Sequence, residues 1–176
     1  MGVTRDDGGA RLGVRLAESA DAGAAGRLLD AFNREYDEAT PGPQRLAARV
    51  RELLAGGDTA VLLGGDGPDG LAVLRFREAL WTPALECYLA ELYVVPELRG
   101  RGLGRVLLEA AMEIARERGA DRMDLGTSQD DVAARALYER SGFSNREGGP
   151  GGPVMYVYER ELSPRGRARG TRVGRR

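Results

Sequence analysis

The chain has 176 residues, 42% of them apolar, and a net charge of −1, which suits one domain with a single hydrophobic core. It contains no run of 18 apolar residues and no signal peptide, so we expect a cytoplasmic protein without a membrane partner. The lone Cys87 and the absence of histidine exclude an internal disulfide and a Cys/His zinc site, and we expect no metal. Any general base must therefore be a carboxylate, a tyrosine, a chain terminus or a relayed water.

The two ends of the chain differ in composition from its middle. Residues 1–10 and 164–176 are polar and rich in glycine or arginine, and we predict disordered termini around one domain over residues 11–163. Six arginines in the second segment could bind nucleic acid through charge alone. No aromatic residues accompany them, so we predict no specific nucleic-acid partner.

Hydrophobic periodicity predicts the element order β-α-α-β-β-β-α-β-α-β-β. The predicted segments are a strand over 12–16, helices over 21–36 and 43–55, strands over 60–63, 71–76 and 85–95, a helix over 103–118, a strand over 122–127, a helix over 131–140, and closing strands from 143 onward and over 154–162. This order predicts a mixed α/β fold with a central sheet of six to seven strands, about four helices and a β–α–β crossover over 85–127.

A glycine-rich loop joins the longest predicted strand to the helix that follows it. Its glycines let the backbone approach a ligand without Cβ clashes, and the N–H groups that open the helix favour an anion. The glycines are Gly100, Gly102 and Gly104, and three arginines add positive charge: Arg99, Arg101 and Arg105. The sequence therefore predicts a pyrophosphate site.

The spacing of this loop argues against two common phosphate-binding motifs. A Walker A loop requires lysine, which the chain lacks, and a dinucleotide fingerprint requires glycine where Arg105 stands. The alternative to a phosphate site is that the glycine-rich loop is only a tight turn and binds no ligand. A second motif follows in the chain and counts against that alternative: Asp131-x-x-Ala134-x-x-Leu137-Tyr138-x-x-x-Gly142-Phe143.

The two motifs together resemble those of the GNAT N-acetyltransferase superfamily. The first motif is Arg99-x-x-Gly102-x-Gly104 after a strand that ends in Tyr-Val-x-Pro, and the resemblance is strongest over residues 85–143. It implies the GNAT fold and acetyl-CoA as the acetyl donor. It also implies direct attack by a primary amine on the thioester.

The resemblance implies a set of cofactor contacts along the strand and the loop. The Val94 N–H would donate to the thioester carbonyl. Asp131 stands where relatives often carry an asparagine, and its carboxylate cannot donate as an amide does. The implied acetyl-CoA contacts are the main chain of Leu92, Tyr93 and Val94, the loop residues Arg99, Gly100, Arg101, Gly102, Leu103, Gly104 and Arg105, and Asp131.

The same resemblance suggests the catalytic groups. Tyr138 matches the tyrosine that acts as the general acid towards the departing thiolate, and a structural tyrosine is its alternative. Glu91 is the expected general base, because it lies on the central strand just before the cofactor-binding stretch. Glu86, Glu35 and Asp37 remain open as other bases.

The acceptor is expected between the first two helices and the hairpin. An acidic and aromatic segment there predicts a small cationic amine as substrate, with Glu35, Tyr36 and Asp37 as its contacts and Trp81 as a further wall. A polar helix end is the alternative for this segment. Other open interpretations are a protein or peptide amine as acceptor and a non-catalytic acyl-CoA sensor. Relatives also suggest a homodimer.

Overall fold

The computed structural model describes residues 12–160 and 162, so the predicted disordered termini lie outside the described residues. Within them, helices and strands alternate largely as the sequence predicts. The elements are β1 (Val14–Leu16), α1 (Ala22–Glu35), α2 (Pro43–Gly56), β2 (Thr59–Gly64), β3 (Gly70–Glu78), β4 (Leu85–Val94), α3 (Leu103–Glu117), β5 (Ala120–Leu125) and α4 (Val132–Arg140). Short 3-10 turns cover Ser19–Asp21 and Pro96–Leu98.

The strands form one mixed sheet in the order β1-β2-β3-β4-β5. Neighbours are antiparallel up to β4, and β4 pairs with β5 in parallel, as the predicted β–α–β crossover requires. Helices α1 and α2 cover one face of the sheet and α3 covers the other. Strand β2 is buried throughout because Leu62 faces α3 while Val61 and Leu63 face α1 and α2, so its apolar run shows no alternation.

Helices α1 and α2 approach each other closely at Gly26. A Cβ at this position would lie 2.5 Å from the Pro43 carbonyl oxygen and 2.7 Å from the Ala47 nitrogen. Glycine is therefore required where the two helices meet. This contact fixes the direction of α1, whose last residue, Glu35, reaches the end of β4.

Strands β4 and β5 separate before β4 ends, and this separation creates the site. The last pair is Leu89 with Leu125, after which only β3 pairs with β4. A bulge leaves Ala90 without a partner on β3, since Val73 pairs with Glu91 and Leu74 with Leu89. Residues 90–94 of β4 therefore have an edge that faces an open gap, which we call the β4/β5 gap.

The two predicted closing strands are wrong, and the sheet of the described residues has five strands instead of six to seven. Only one isolated bridge forms in this region, between Arg146 and Val154. Glycines and prolines fill the turn over 148–153, and the side chains from Tyr156 to Tyr158 are exposed. The sequence alternates over 154–162, but no strand among the described residues pairs with this segment to stabilise it. In the described part of the chain, every helix is too short or too polar to cross a membrane.

Candidate active site

The main chain of Leu92 and Val94 faces the β4/β5 gap. The Val95 N–H donates to the Asp69 carbonyl at 2.9 Å on the β3 side, and main-chain groups alternate between the two edges of a strand. Leu92 and Val94 therefore direct their N–H and C=O groups towards the gap. An extended ligand could pair with them there as an additional strand would.

The glycine-rich loop follows β4 directly and leads into α3. Gly100 and Gly102 have φ angles of 74° and 90°, which disfavour residues with a Cβ. Gly102 caps α3 without a side-chain hydrogen bond, and the Val106 N–H donates to the Gly102 carbonyl at 3.1 Å. The N–H groups of the helix's first turn before Val106 are thus available to an anion, as the sequence predicts.

The three loop arginines differ in what they contact. Arg99 forms a two-pronged ion pair with Glu35, with N–O distances of 2.6 and 2.7 Å, and its Nε donates to the Val94 carbonyl at 2.9 Å. Arg105 lies 3.9 Å from Glu109, and among the described residues no carboxylate forms an ion pair with Arg101. Arg101 and Arg105 are therefore the arginines most available to a bound phosphate.

Two of the predicted cofactor contacts have buried side chains. The Tyr93 ring packs 5.4 Å from the Phe32 ring in the core beneath α1 and α2. Leu103 is buried in the core beneath α3. Leu103 can reach a ligand through its main chain only. The Tyr93 main chain pairs with Leu71 on β3, so the structure does not direct Tyr93 towards the gap.

Tyr138 lies on α4, half-buried against the core beneath α3, with its ring 6.1 Å from the Phe143 ring. Burial, followed by the charges of Asp131, Glu91 and Tyr36 in that order, raises the pKa of its hydroxyl to about 12. The hydroxyl is therefore a donor at neutral pH. Because the Glu91 charge acts on it, the two predicted catalytic groups lie within electrostatic reach of each other.

Glu91 is carried by the strand segment that borders the gap. Burial raises the pKa of its carboxyl above the ordinary value. Glu91 alternates with Leu92 and shares the face of Tyr93, towards α1 and α2, whereas Tyr138 packs on the α3 side. The gap thus separates a carboxyl on one face of the sheet from a phenol on the other.

Asp131 has a structural task that the sequence did not reveal. Its Oδ1 accepts a hydrogen bond from the Ala134 N–H at 2.9 Å and caps α4. The carboxylate therefore fixes the start of the helix that carries Tyr138.

The predicted acceptor residues are only partly brought together. Tyr36 is exposed and stacks edge-on to Phe32 with centroids 5.2 Å apart, and its effect on the pKa of Tyr138 places it near the gap. Asp37 follows in a left-handed conformation, with φ 55°. Both oxygens of Glu35 bind Arg99, so its charge is already compensated.

Trp81 and Glu86 lie at the other end of β4. Thr82 hydrogen-bonds Asp121 at the start of β5, and Glu86 pairs with Arg77 at 2.6 Å. The four steps of β4 from Glu86 to Ala90, where the gap begins, span about 13 Å. The structure therefore does not bring Trp81 or Glu86 to the β4/β5 gap, and we drop both from the site.

A family model described as "Acetyltransferase (GNAT) family" matches residues 28–143. The chain belongs to the GNAT acetyltransferase family. The resemblance stated from the two motifs is thereby confirmed, and so is the fold.

Individual GNAT relatives agree with the family match. A mycothiol acetyltransferase from Beutenbergia cavernae is 40% identical over 100 residues, which cover 54% of this chain and 32% of that protein. The chain thus spans about a third of that relative. An uncharacterised N-acetyltransferase from Bacillus subtilis, YhfO, is 26% identical over 78% of this chain and 93% of that protein. A crystal structure from Arthrobacter sp. FB24, solved as a candidate acetyltransferase, is 43% identical, with a TM-score of 0.77 over 85% of this chain and 96% of that one.

GNAT acetyltransferases use acetyl-CoA as the acetyl donor, and the residues around the gap fit such a ligand. The open main-chain edge of β4 suits an extended arm, and the uncapped start of α3 suits a pyrophosphate. No cluster of three metal-ligating side chains occurs in the part of the chain that the structure describes.

Sequence reasoning missed a cavity of about 530 Å³ beside the gap. Tyr88, the end of β5 and Val157 line it, together with the carboxylates of Asp124 and Glu159. Tyr88 lies on the same face of β4 as Glu91, because Leu89 between Tyr88 and the bulge faces α3. Tyr88 alternates with the apolar Cys87 and Leu89 in the sequence, and this aromatic residue on the opposite face was the available signal.

Proposed function

We propose that this chain transfers an acetyl group from acetyl-CoA to a primary amine of a small cationic molecule by direct attack. One observation carries this proposal. The open edge at Leu92 and Val94 runs straight into the uncapped start of α3, so that one continuous stretch of main chain can hold a pantetheine arm and a pyrophosphate. Glu91 stands on the strand segment that borders this gap, and its charge acts on Tyr138.

The cofactor contacts follow from the main-chain groups that remain free. The Leu92 main chain and the Val94 N–H would hold the pantetheine arm and the thioester carbonyl. The N–H groups from Gly100 to Arg105 would bind the pyrophosphate, with Arg101 and Arg105 nearby as cations. Asp131 acts in this proposal through α4 and not as a cofactor contact.

Glu91 would remove the proton that the acceptor nitrogen must lose. An alkylamine with a pKa near ~10 is mostly protonated at neutral pH, so a base is required. The amine nitrogen then bonds to the acetyl carbon, the carbon–sulfur bond breaks, and the amide and the free thiol of CoA are the products. Burial suits Glu91 for this task, because it moves the pKa of the carboxyl towards neutral pH.

Tyr138 would donate a hydrogen bond to the sulfur as the thiolate departs. A hydroxyl with a pKa of about 12 does not readily give its proton to a thiolate of pKa ~8.5. The hydroxyl therefore stabilises the negative sulfur by a hydrogen bond, and the thiolate receives its proton from solvent or from the amine.

The acceptor would enter from the face of α1 and α2. Carboxylates and aromatic rings on that face suit a cationic amine: Glu91, Tyr36, Tyr88, Asp124 and Glu159 border the gap or the cavity beside it. The sequence similarity to a mycothiol acetyltransferase also supports a small-molecule acceptor. Asp37 stands at the rim of this entrance on the segment that follows α1.

A panel of amines tests the proposal through the release of free thiol from acetyl-CoA. The panel includes aminosugars, polyamines, amino acids and a lysine peptide. We expect turnover with a small cationic member, and a Tyr138→Phe variant that retains CoA binding but turns over more slowly. Turnover with the peptide alone would move the acceptor to a protein or peptide amine. CoA binding without turnover of any amine, equal in Tyr138→Phe, would favour a sensor instead.

A further inference from the structure

One side chain, that of Arg99, joins three parts of the molecule at the entrance to the glycine-rich loop. Its Nε donates to the Val94 carbonyl at 2.9 Å, and its two terminal nitrogens donate to Glu35 at 2.6 and 2.7 Å. Its guanidinium carbon lies 5.6 Å from the centre of the Tyr93 ring. Glu35 is the last residue of α1 and stands 64 positions earlier in the chain.

These contacts close the turn between β4 and the loop. The hydrogen bond to Val94 spans the 3-10 turn over Pro96–Leu98, so the residue that opens the loop is tied back to the end of the strand. The bond to Glu35 then holds this turn against α1. A parallel, two-bond arrangement between arginine and a carboxylate is the strongest and most directional form of such a pair.

The pair is better sheltered than the pair of Glu113 and Arg116 on α3. The Glu35 and Arg99 side chains are 27% and 41% exposed, whereas those of Glu113 and Arg116 are 62% and 64% exposed and make one contact at 3.2 Å. The hydrogen bonds from Arg99 lower the pKa of the Glu35 carboxyl, so it is ionised at neutral pH. Three of the five N–H donors of the guanidinium are thus engaged before any ligand arrives.

We propose that Glu35 and Arg99 form a positioning pair for acetyl-CoA, in which Arg99 acts through the loop main chain and not by touching phosphate. The pair would hold the N–H groups of Gly100 to Arg105 in the direction that a pyrophosphate needs. The inference rests on the proposed function, since it specifies how the cofactor loop of that same site is held. It assigns to Glu35 a part in cofactor binding and removes it from the acceptor contacts.

Glu35 makes the proposal testable, because it is an acid and cannot itself attract a phosphate. The affinity for CoA would be measured by calorimetry on the full chain for Glu35→Gln, Arg99→Gln and the double variant, with Arg116→Gln as the control for loss of an ion-paired arginine. We expect each single variant to weaken CoA binding about tenfold, the double variant to be no weaker than Arg99→Gln, and the control to match the wild type. If Arg99 instead contacts phosphate directly, Glu35→Gln keeps or improves the affinity, which overturns the proposal.

Arg99→Lys separates positioning from charge. Lysine keeps the positive charge but cannot bond Val94 and both oxygens of Glu35 together, so we expect it to behave as Arg99→Gln does. In steady-state assays of Arg99→Lys, the KM for acetyl-CoA should rise about tenfold while kcat stays within about twofold of the wild-type value. A general loss of stability would not raise KM while leaving kcat unchanged. Wild-type affinity in Arg99→Lys would contradict the positioning role. CoA binding by the wild type with no change in any variant would refute the pair alone, and no binding by the wild type would refute the proposed function with it.

Discussion

Gly102 and Gly119 stand at the two ends of α3 and allow loop function to be separated from folding. Both have positive φ angles, 90° and 84° respectively. A Cβ at Gly102 would meet only Leu12 Cδ1 at 3.7 Å, and at Gly119 it would meet nothing within 4 Å. Alanine therefore fits sterically at both positions, and its cost in each is the conformational strain alone.

The expected loss of stability is the same for the two alanine variants. A residue with a Cβ in the left-handed region costs about 1–2 kcal/mol. For a chain of this size that corresponds to roughly 2–8 °C in Tm. Differential scanning fluorimetry of Gly102→Ala and Gly119→Ala without ligand should therefore give similar shifts below the wild-type Tm.

Only Gly102→Ala should change the binding of CoA. Relief of the strain at residue 102 rotates the peptide N–H groups that open α3, whereas Gly119 lies at the far end of a 15-residue helix, about 22 Å away. Calorimetry with CoA should show at least a fivefold weaker complex for Gly102→Ala and wild-type affinity for Gly119→Ala. Equal CoA affinities in the two variants would refute the reasoning, because the loop amides would then not hold the phosphates.

Variants at three further positions test the other parts of the site. Glu91→Gln should lower kcat about 100-fold, as expected for loss of a general base. It should also remove the acid limb from the pH profile of kcat/KM. In the wild type, the apparent pKa of that limb should lie above the ordinary carboxyl value, because burial raises the pKa of Glu91. The folded protein favours the protonated carboxyl of Glu91, so ionisation of this carboxyl at high pH destabilises the fold. Glu91→Gln should therefore raise Tm at pH 8, and this gain should disappear below about pH 4.5. A pH profile of kcat/KM that is the same in the variant and the wild type would exclude Glu91 as the base. Tyr138→Phe should lower kcat at an unchanged Kd for CoA in single-turnover and calorimetric measurements, and an unchanged kcat would reduce Tyr138 to a structural role. Asp131→Ala should cost about 1 kcal/mol, or roughly 2–4 °C in Tm, through loss of the α4 cap, while Asp131→Asn should keep the cap; equal Tm values for the two would contradict the capping role.

The local sequence pattern was sufficient to predict the helices and strands that are buried on at least one side. The apolar stripe of α3, the long strand β4 and the glycine that ends α3 all lie within a few residues of their predicted bounds. The glycine-rich loop was also recognised correctly as a link between strand and helix, because its conformation depends on residues adjacent in the chain. Local chemistry and tertiary structure agree in these segments.

The pattern over 154–162 shows where such reasoning fails. Alternation indicates which residues would share a face, but a strand also requires a neighbouring edge. Within residues 12–160, the structure supplies this segment only with the bridge between Arg146 and Val154. The local pattern does not show the separation of β4 from β5 either, since it depends on where a parallel partner stops; only the family resemblance implied it.

The roles of charged residues depend on contacts between distant parts of the chain. Glu35 was interpreted as a ligand for a cation because its sequence neighbours are acidic and aromatic. Its partner, Arg99, is 64 residues away and was assigned to phosphate. The local sequence around Glu35 and around Arg99 does not show that the two side chains meet, so only the tertiary structure reveals the ion pair.

A crystal structure of the protein with CoA tests the central claim most directly. The account predicts the pyrophosphate within hydrogen-bonding distance of the main-chain N–H groups from Gly100 to Arg105. It also predicts the pantetheine arm in the β4/β5 gap beside Leu92 and Val94, with the sulfur facing Tyr138. Density for CoA in the cavity beside Tyr88, or at any site that leaves the start of α3 without a phosphate, would contradict the account.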